Sequence, residues 1–149
     1  MDGYTIDRAL ASCPATRDLY RGVLSADAPT ACRLGVGFYV YNTDEAHQSG
    51  QHWVAQYRLP GVVRHFDSYG LRPFGTLARR MRAESCTPYE YEPTRLQGSG
   101  PTCGHFCLYY ALHCADPYSH PMSVFSTWDL DWNDAEVVRL TRRVYGDLI

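Results

Sequence analysis

Cysteine, histidine, aspartate and glutamine are the residue types in this sequence that could combine to carry out acyl transfer. Cys103 follows a glycine-rich loop, residues 98–101, and begins a predicted helix. Unpaired N–H groups and the positive end of the helix dipole at such a position stabilise a thiolate. The same N–H groups could bind the oxyanion that forms when a thiolate attacks a carbonyl. Cys103 is therefore a candidate nucleophile, although a cysteine at the start of a helix is more often structural.

Two segments rich in aromatic and β-branched residues, residues 52–58 and 62–67, are predicted strands. The dipeptide Pro60-Gly61 between them is a turn signal. We therefore predict an antiparallel hairpin that is closed by a two-residue turn.

The hairpin would bring a histidine and an aspartate together. With the two-residue turn, Asp67 lies opposite Val54, and the alternation of side chains then places His52 on the same face as Asp67. Diagonal neighbours have Cβ atoms about 7 Å apart, so the imidazole and the carboxylate could share a hydrogen bond. Such a bond would fix the ring tautomer and favour imidazolium. A register shift of one residue would place the two side chains on opposite faces.

Gln97 directly precedes the glycine-rich loop and offers an amide donor that the loop could place beside the Cys103 thiolate. Together with the N–H groups at the helix start, this donor would complete an oxyanion hole. The predicted reaction is attack of Cys103 on a carbonyl, with His52 transferring the proton to the leaving amine. Each of these residues alone is a weak signal. Their joint occurrence in the order His, Asp, Gln, Cys is a stronger one.

The other predicted elements must place these side chains. Helices are predicted over residues 6–11, 16–24, 74–84, 103–114 and from about residue 133, with further strands over residues 35–41 and 88–96 and a surface loop over residues 42–51. The predicted fold class is α+β. We expect a small mixed sheet, which contains the antiparallel hairpin of His52 and Asp67, packed against a central helix that begins at Cys103.

The composition fits one globular domain over residues 1–149. Hydrophobic residues make up 45% of the chain and charged residues 20%, which excludes a disordered chain. No apolar run approaches the about 18 residues of a membrane span. All 14 basic residues are arginines, against 16 acidic residues, and the net charge is -2. This balance argues against strong attraction of the whole surface to nucleic acid.

The six cysteines have neither the spacing of a disulfide mini-protein nor the paired spacing of a structural zinc site. No secretory signal is predicted at the start of the sequence, so we expect an intracellular protein that is not secreted. Most of the thiols are therefore expected to be small core residues in a reducing compartment. Cys107 and Cys114 would share the apolar face of the predicted helix, whereas Cys13 and Cys32 have no predicted role.

No metal site is predicted. Cys103, His105, Cys107 and His113 lie within one predicted helix, where their side chains would point in several directions and could not bind a single zinc ion. The chemistry predicted for Cys103 and His52 also requires no cofactor.

Several short segments resemble the adenovirus endopeptidase (adenain) family of cysteine proteases. That family is related to the SUMO-specific and bacterial ubiquitin-like proteases, which have the order His, Asp or Glu, Gln, Cys. The resemblance rests on Gly-Gln-His-Trp-Val-Ala at residues 50–55, Phe-Asp-Ser-Tyr-Gly at residues 66–70, Gln97, and Thr-Cys-Gly-His-Phe-Cys at residues 102–107. It extends upstream to residues 22–27 and 41–43 and is faint beyond about residue 115.

The resemblance implies a role for each of the four side chains. His52 would be the base, Asp67 its orienting partner, Gln97 an oxyanion-hole donor and Cys103 the nucleophile. The family cleaves after Gly-Gly in viral precursor proteins or after the Gly-Gly tail of ubiquitin-like modifiers. A cleft that admits only glycine beside the scissile bond would explain this preference. Trp53 is a candidate wall of that cleft, with plain core packing as the alternative.

The resemblance also implies possible activators. Adenain is activated by a short viral peptide, through a disulfide to a cysteine upstream of the nucleophile, and by viral DNA. Cys86 lies 17 residues before Cys103 and is similar to that cysteine. An activating peptide bound through Cys86 is therefore one expectation, and an inert thiol is the other. A DNA requirement is doubtful, because this chain is slightly acidic.

Two functional classes fit the sequence. The first is a cysteine endopeptidase that processes viral or mobile-element precursor proteins and acts, by family resemblance, in the host cell nucleus and the virion. The second is a deconjugating protease, or a binder, of a ubiquitin-like modifier. Both classes predict protein partners and no membrane partner.

Overall fold

A five-stranded mixed sheet with helices on both faces makes up the fold in this computed structural model, which describes residues 1–44, 52–86 and 88–149. The helices are α1 (Gly3–Ser12), α2 (Ala31–Leu34), α3 (Gly75–Ala83), α4 (Cys103–Ala115) and α5 (Leu130–Tyr145). The strands are β1 (Tyr20–Leu24), β2 (Gly37–Asn42), β3 (Trp53–Leu59), β4 (Val62–Phe66) and β5 (Glu90–Tyr91). Two short 3-10 helices span Met122–Val124 and Gly146–Leu148. The predicted α+β fold class is confirmed.

The five strands lie in the sheet in chain order. β1 and β2 are parallel, as are β4 and β5, while β2, β3 and β4 are antiparallel neighbours. In the β3–β4 hairpin, Leu59 pairs with Val62 and Ala55 pairs with Phe66. This is the register that a two-residue turn at Pro60-Gly61 predicts. The predicted hairpin register is therefore confirmed.

The middle of the sheet is buried on both faces. Along β2, Phe38 and Val40 pack into one apolar cluster with α1 and α4, while Tyr39 and Tyr41 pack into a second cluster with α3. Successive side chains of a strand point to opposite faces, so a strand covered on both sides reads as a continuous apolar run. This explains why residues 35–41 show no alternation of apolar and polar residues.

Helix α4 is the central helix of the larger cluster. Residues 106–112 are all buried, so the helix is apolar around its whole circumference rather than along the single predicted face. Its Tyr110 ring stacks on Phe66 of β4 with centroids 4.4 Å apart, which joins the helix to the hairpin. No helix within the described ranges is long and apolar enough to cross a membrane.

The predicted helix over residues 16–24 is wrong. The Thr16 hydroxyl donates a hydrogen bond to the carbonyl oxygen of Leu10 at 3.0 Å and does not cap a new helix. The chain makes a turn there and continues as β1, which pairs with β2. Pairing with β2 outweighs the weak local helix preference of this segment.

The predicted strand over residues 88–96 is largely wrong. Only Glu90 and Tyr91 pair with β4, and Pro93 then follows without an N–H group to donate to a ladder. Further along, the N–H groups of Leu96 and Gln97 donate to the carbonyl oxygen of Ser68 instead. Most of the predicted loop over residues 42–51 lies outside the described residues.

Cys32 and Cys86 form a disulfide, which corrects the expectation that these cysteines are free thiols. α2 and the end of α3 bring them together although they are 54 residues apart, and Glu84 reinforces the contact by accepting a hydrogen bond from the Thr30 N–H at 2.7 Å. In this structure Cys86 therefore has no thiol to offer an activating peptide. The free cysteines are Cys13, Cys103, Cys107 and Cys114.

We predict that reduction of this disulfide destabilises the protein. Closing a loop of this length removes chain entropy from the unfolded state and is worth about 4 kcal/mol. Reductant should therefore lower the free energy of unfolding of the wild-type protein by about this amount in urea titrations. The double variant Cys32→Ser/Cys86→Ser should show no response to reductant. A wild-type protein that is equally stable with and without reductant would contradict the disulfide.

Candidate active site

The ends of the β3–β4 hairpin hold a histidine and an aspartate in contact. His52 directly precedes β3 and Asp67 directly follows β4. Nε2 of His52 lies 2.8 Å from Oδ1 of Asp67. The Asp67 side chain is fully buried and that of His52 is 11% exposed. The contact expected from the hairpin register is therefore present.

The Asp67 carboxylate and the His52 ring are both held by Tyr69. The Tyr69 N–H donates to Oδ1 of Asp67 at 2.8 Å, and the Tyr69 ring stacks on the imidazole with centroids 4.8 Å apart. No described residue donates a hydrogen bond to the buried Oδ2 of Asp67. A buried carboxylate favours a positive neighbour, so this environment favours the imidazolium form of His52.

Cys103 is the first residue of α4 and is partly exposed. The residue before it, Thr102, makes no capping hydrogen bond to the helix, and its hydroxyl donates to Oδ1 of Asp134 at 2.6 Å. A side-chain cap would normally occupy one of the N–H groups of the first turn. Without one, the N–H groups at the start of α4 stay available for a thiolate or an oxyanion.

The pKa values of Cys103 and His52 are both shifted toward a thiolate–imidazolium pair. Burial by itself lowers the pKa of His52, but hydrogen bonds to Asp67 and Cys103 and the negative charges of both raise it to about 9. Burial by itself raises the pKa of the Cys103 thiol, but hydrogen bonds from His52 and the Trp53 backbone, the imidazolium charge and the Gly104 backbone lower it. Because Asp67 engages Nε2, Nδ1 is the ring nitrogen left for the sulfur.

Gln97 is buried and its side-chain amide is held at both ends. Oε1 accepts a hydrogen bond from the Ser68 hydroxyl at 2.6 Å, and Nε2 donates to the carbonyl oxygen of Gly100 at 2.8 Å. The carbonyl oxygen of Gly100 can only accept, so it fixes which end of the amide is the nitrogen. An amide nitrogen carries two hydrogens, so one of them is left for an oxyanion. Ser68 directly follows Asp67 in the sequence, and this adjacency is the one sequence signal that could have indicated its role.

The glycine-rich loop between Gln97 and Cys103 is held by two aspartates that the sequence did not indicate. Asp134 accepts hydrogen bonds from the loop through both carboxylate oxygens, and Asp131 accepts from the N–H and hydroxyl of Ser99, each at 3.1 Å. Both aspartates lie in the first turns of α5, more than 30 residues beyond the loop. No local pattern links such distant residues, so the contact could not be inferred from the sequence.

Trp53 is placed beside the nucleophile by its backbone and anchored by its side chain. Its backbone contributes a hydrogen bond to Cys103. Its indole N–H donates to the carbonyl oxygen of Met1 at 3.0 Å, and the half-buried ring packs against the main core. The same N-terminal residue approaches Gly104, where an added Cβ would lie 3.2 Å from the Met1 side chain. The indole thus has a packing role, and its predicted role as a cleft wall stays a prediction.

Three other cysteine and histidine side chains of α4 are engaged away from the candidate residues. His105 Nδ1 lies 2.9 Å from the Thr141 hydroxyl, His113 Nδ1 lies 2.9 Å from the carbonyl oxygen of His120, and Cys107 is buried in the core. Among the described residues, no group of three or more potential ligands could hold a metal ion. A pocket of about 430 Å³ lies between β4, β5 and the second half of α4 and contains none of the four candidate residues.

Comparisons with known proteins find structural similarity at low sequence identity. No family model matches the chain, and no curated protein matches it. Two crystal structures of ASFV pS273R protease, one of them of the selenomethionine protein, are similar to this chain at 22% identity. Their TM-scores are 0.46 and 0.45, and the similarity covers 72% of this chain and 44% and 42% of theirs. The chain thus spans less than half the length of that protease, and the predicted resemblance to the adenain family specifically stays a prediction.

We predict that Cys103 is the thiol that iodoacetamide alkylates fastest near neutral pH. Because its pKa is lowered, the Cys103 thiol ionises at a lower pH than an ordinary thiol. The thiolate stays paired with imidazolium until the pH rises through about 9, where His52 loses its proton. His52→Ala should therefore slow alkylation at pH 7 by about tenfold for each unit of pKa regained.

Cys107 and Cys114 provide internal controls in the same reaction. Burial raises the pKa of Cys107 well above the usual thiol value and raises that of Cys114 to about 12. Peptide mapping by mass spectrometry at short reaction times should show label at Cys103 before either of them. Equal labelling of Cys103 and Cys107 would count against an activated nucleophile.

Proposed function

We propose that this protein is a cysteine protease in which Cys103, His52, Asp67 and Gln97 act together. The observation that carries the proposal is the chain of contacts from buried Asp67 to His52 and from His52 to the thiol of Cys103. It gives a thiol of lowered pKa at the start of a helix, beside a histidine that can hold a proton at neutral pH. A thiolate with an adjacent proton donor is the arrangement that nucleophilic acyl transfer needs.

The proposed reaction has two steps. The Cys103 sulfur attacks the carbonyl carbon of the scissile peptide bond, and His52 gives its proton to the leaving amine as the C–N bond breaks. Neutral His52 then removes a proton from water, which attacks the thioester and releases the acid and the Cys103 thiolate. Asp67 keeps the ring in one orientation and stabilises its charge through both steps. Apart from the attacking water, the groups proposed for these steps are side chains and backbone of this chain.

Stabilisation of the oxyanion is assigned to the loop and the helix start. The second hydrogen of Gln97 Nε2 and the N–H groups at the beginning of α4 are the proposed donors. Their support is the fixed orientation of the Gln97 amide and the lack of a side-chain cap on α4. Donors that are already oriented need no rearrangement when charge develops, which is why such groups are effective.

We further propose an endopeptidase that cleaves after Gly-Gly-type sites in viral or viral-like precursor proteins. This finer assignment follows the resemblance of the motifs around His52, Asp67 and Cys103 to the adenain family. A substrate cleft bordered by Trp53 would favour residues without side chains next to the scissile bond. The host cell nucleus and the virion are the proposed places of action, on the same ground.

The proposal is tested with Gly-Gly-X peptide reporters and with ubiquitin and SUMO propargylamide probes. Cys103→Ala should abolish turnover, because no sulfur remains to attack the carbonyl. Cys114→Ala is the matched control and should retain turnover, since Cys114 lies at the other end of α4. Turnover of short peptides alone supports the endopeptidase, whereas covalent capture by a modifier probe supports a deconjugating protease. Equal turnover by wild-type protein and Cys103→Ala would exclude both.

The Gln97 amide is the proposed side-chain donor of the oxyanion hole. Gln97→Ala should lower kcat by about 10²- to 10³-fold, the usual effect of removing one oxyanion-hole donor. Alkylation of Cys103 by iodoacetamide should be unchanged, because attack on a saturated carbon develops no oxyanion. Steady-state kinetics and alkylation rates measured on the same preparation separate the two effects. A parallel loss of both would mean that Gln97 supports the thiol and not the oxyanion.

A further inference from the structure

Asp134 on α5 holds the loop that joins Gln97 to Cys103. Its Oδ1 accepts from the Gly98 N–H at 3.1 Å and from the Thr102 hydroxyl at 2.6 Å, and its Oδ2 accepts from the Gly100 N–H at 2.9 Å. Three donors from five consecutive residues thus converge on one carboxylate. Hydrogen bonds to an ionised acceptor are about twice as strong as neutral ones, so this contact is a strong restraint on the loop.

Within the described part of the chain, the carboxylate of Asp134 accepts from these donors and forms no ion pair. Its residue is only 9% exposed, and no ion pair among the described residues includes it. A buried charge that lacks a counter-ion must be compensated by hydrogen bonds, and here the loop supplies them. The loop and the carboxylate therefore depend on each other, and neither would keep its arrangement alone.

Gly98 lets α5 come this close to the loop. A Cβ added at Gly98 would lie 2.8 Å from Oδ2 of Asp134 and 2.9 Å from the backbone nitrogen of Asp131. Real Cβ atoms do not approach other atoms so closely, so any larger residue would push the helix away. The contact between Asp134 and the loop thus requires glycine at this position.

Through the loop, the contact of Asp134 reaches the Gln97 side chain and the residue before Cys103. Asp134 fixes the N–H of Gly100, and the carbonyl of Gly100 accepts from Nε2 of Gln97. Asp134 also accepts a hydrogen bond from the hydroxyl of Thr102, the residue directly before Cys103. One carboxylate thus orients the Gln97 amide and holds the residue that precedes the first turn of α4.

We propose that Asp134 is a positioning residue that holds the oxyanion hole in its active arrangement. The inference rests on the proposed acyl-transfer function, and it assigns to Asp134 no contact with the substrate. Loss of the carboxylate would release the loop, so the donors would have to be ordered during each reaction. The thiolate of Cys103 would be unaffected, because its stabilisation comes from His52 and the adjacent backbone.

The test is Asp134→Asn, an isosteric change that replaces one acceptor oxygen by a donor. The new NH₂ group must face one of two sets of donors. In one orientation it faces the Gly100 N–H, and in the other it faces the Gly98 N–H and the Thr102 hydroxyl. We expect kcat on Gly-Gly-X reporters to fall about 10- to 100-fold, with KM changed less than about threefold. The alkylation rate of Cys103 and its pH profile should match those of the wild-type protein.

The matched control is Glu136→Gln on the same helix. Glu136 pairs only with exposed Arg139 among the described residues, so removal of its charge should leave kcat unchanged. Labelling of buried Cys107 reports loss of the fold in the same samples. If Asp134→Asn exposes Cys107, the variant Thr102→Val is used in its place, because it removes one donor to Asp134. We expect Thr102→Val to lower kcat about tenfold and Thr102→Ser to keep the wild-type kcat.

A coupling experiment completes the test. In the Gln97→Ala background, Asp134→Asn should lower kcat little further, because the donor that it positions is already gone. The proposal is overturned if Asp134→Asn keeps the wild-type kcat, if alkylation of Cys103 falls with kcat, or if the effects of the two substitutions multiply. A wild-type protein that hydrolyses no reporter and is captured by no modifier probe would instead show the proposed function itself to be wrong.

Discussion

The hydrogen bond between Nε2 of His52 and Oδ1 of Asp67, 2.8 Å long, joins the two open ends of a hairpin and sets the electrostatics of the whole site. It exists only in one register of β3 on β4, since a slip of one residue would send one partner to the other face. Burial makes the Asp67 charge dependent on a positive neighbour. The resulting imidazolium in turn lowers the pKa of Cys103. A turn at Pro60-Gly61 thus has consequences for a thiol more than 40 residues away.

The second half of the site is built by a helix that the protein buries on all sides. Because α4 is enclosed by apolar neighbours, its first residue has a fixed position relative to the sheet, and Tyr110 stacked on Phe66 ties the helix to the strand that leads to Asp67. The start of α4 is left without a side-chain cap. Core packing therefore fixes the position of Cys103, while the uncapped N–H groups at the start of α4 provide hydrogen-bond donors where the chemistry is proposed.

Two long-range contacts stabilise different layers of the molecule. On the face of the sheet that packs against α1 and α4, the carboxylates of Asp131 and Asp134 hold the loop before Cys103 to α5. On the opposite face of the sheet, the disulfide of Cys32 and Cys86 joins α2 to the end of α3, within the smaller cluster. The site can thus be restrained by hydrogen bonds close to the reacting groups, while the disulfide restrains the layer behind them.

Local patterns in the sequence were sufficient for the hairpin register, the helix that begins at Cys103 and the contact of His52 with Asp67, because turn chemistry and side-chain alternation act over a few residues. The tertiary structure alone decided that residues 20–24 form a strand, that Cys86 is paired, and that Asp134 holds the loop. Each of these features joins residues far apart in the chain. Such contacts produce no periodic pattern in the sequence, since they form only when separate elements pack together.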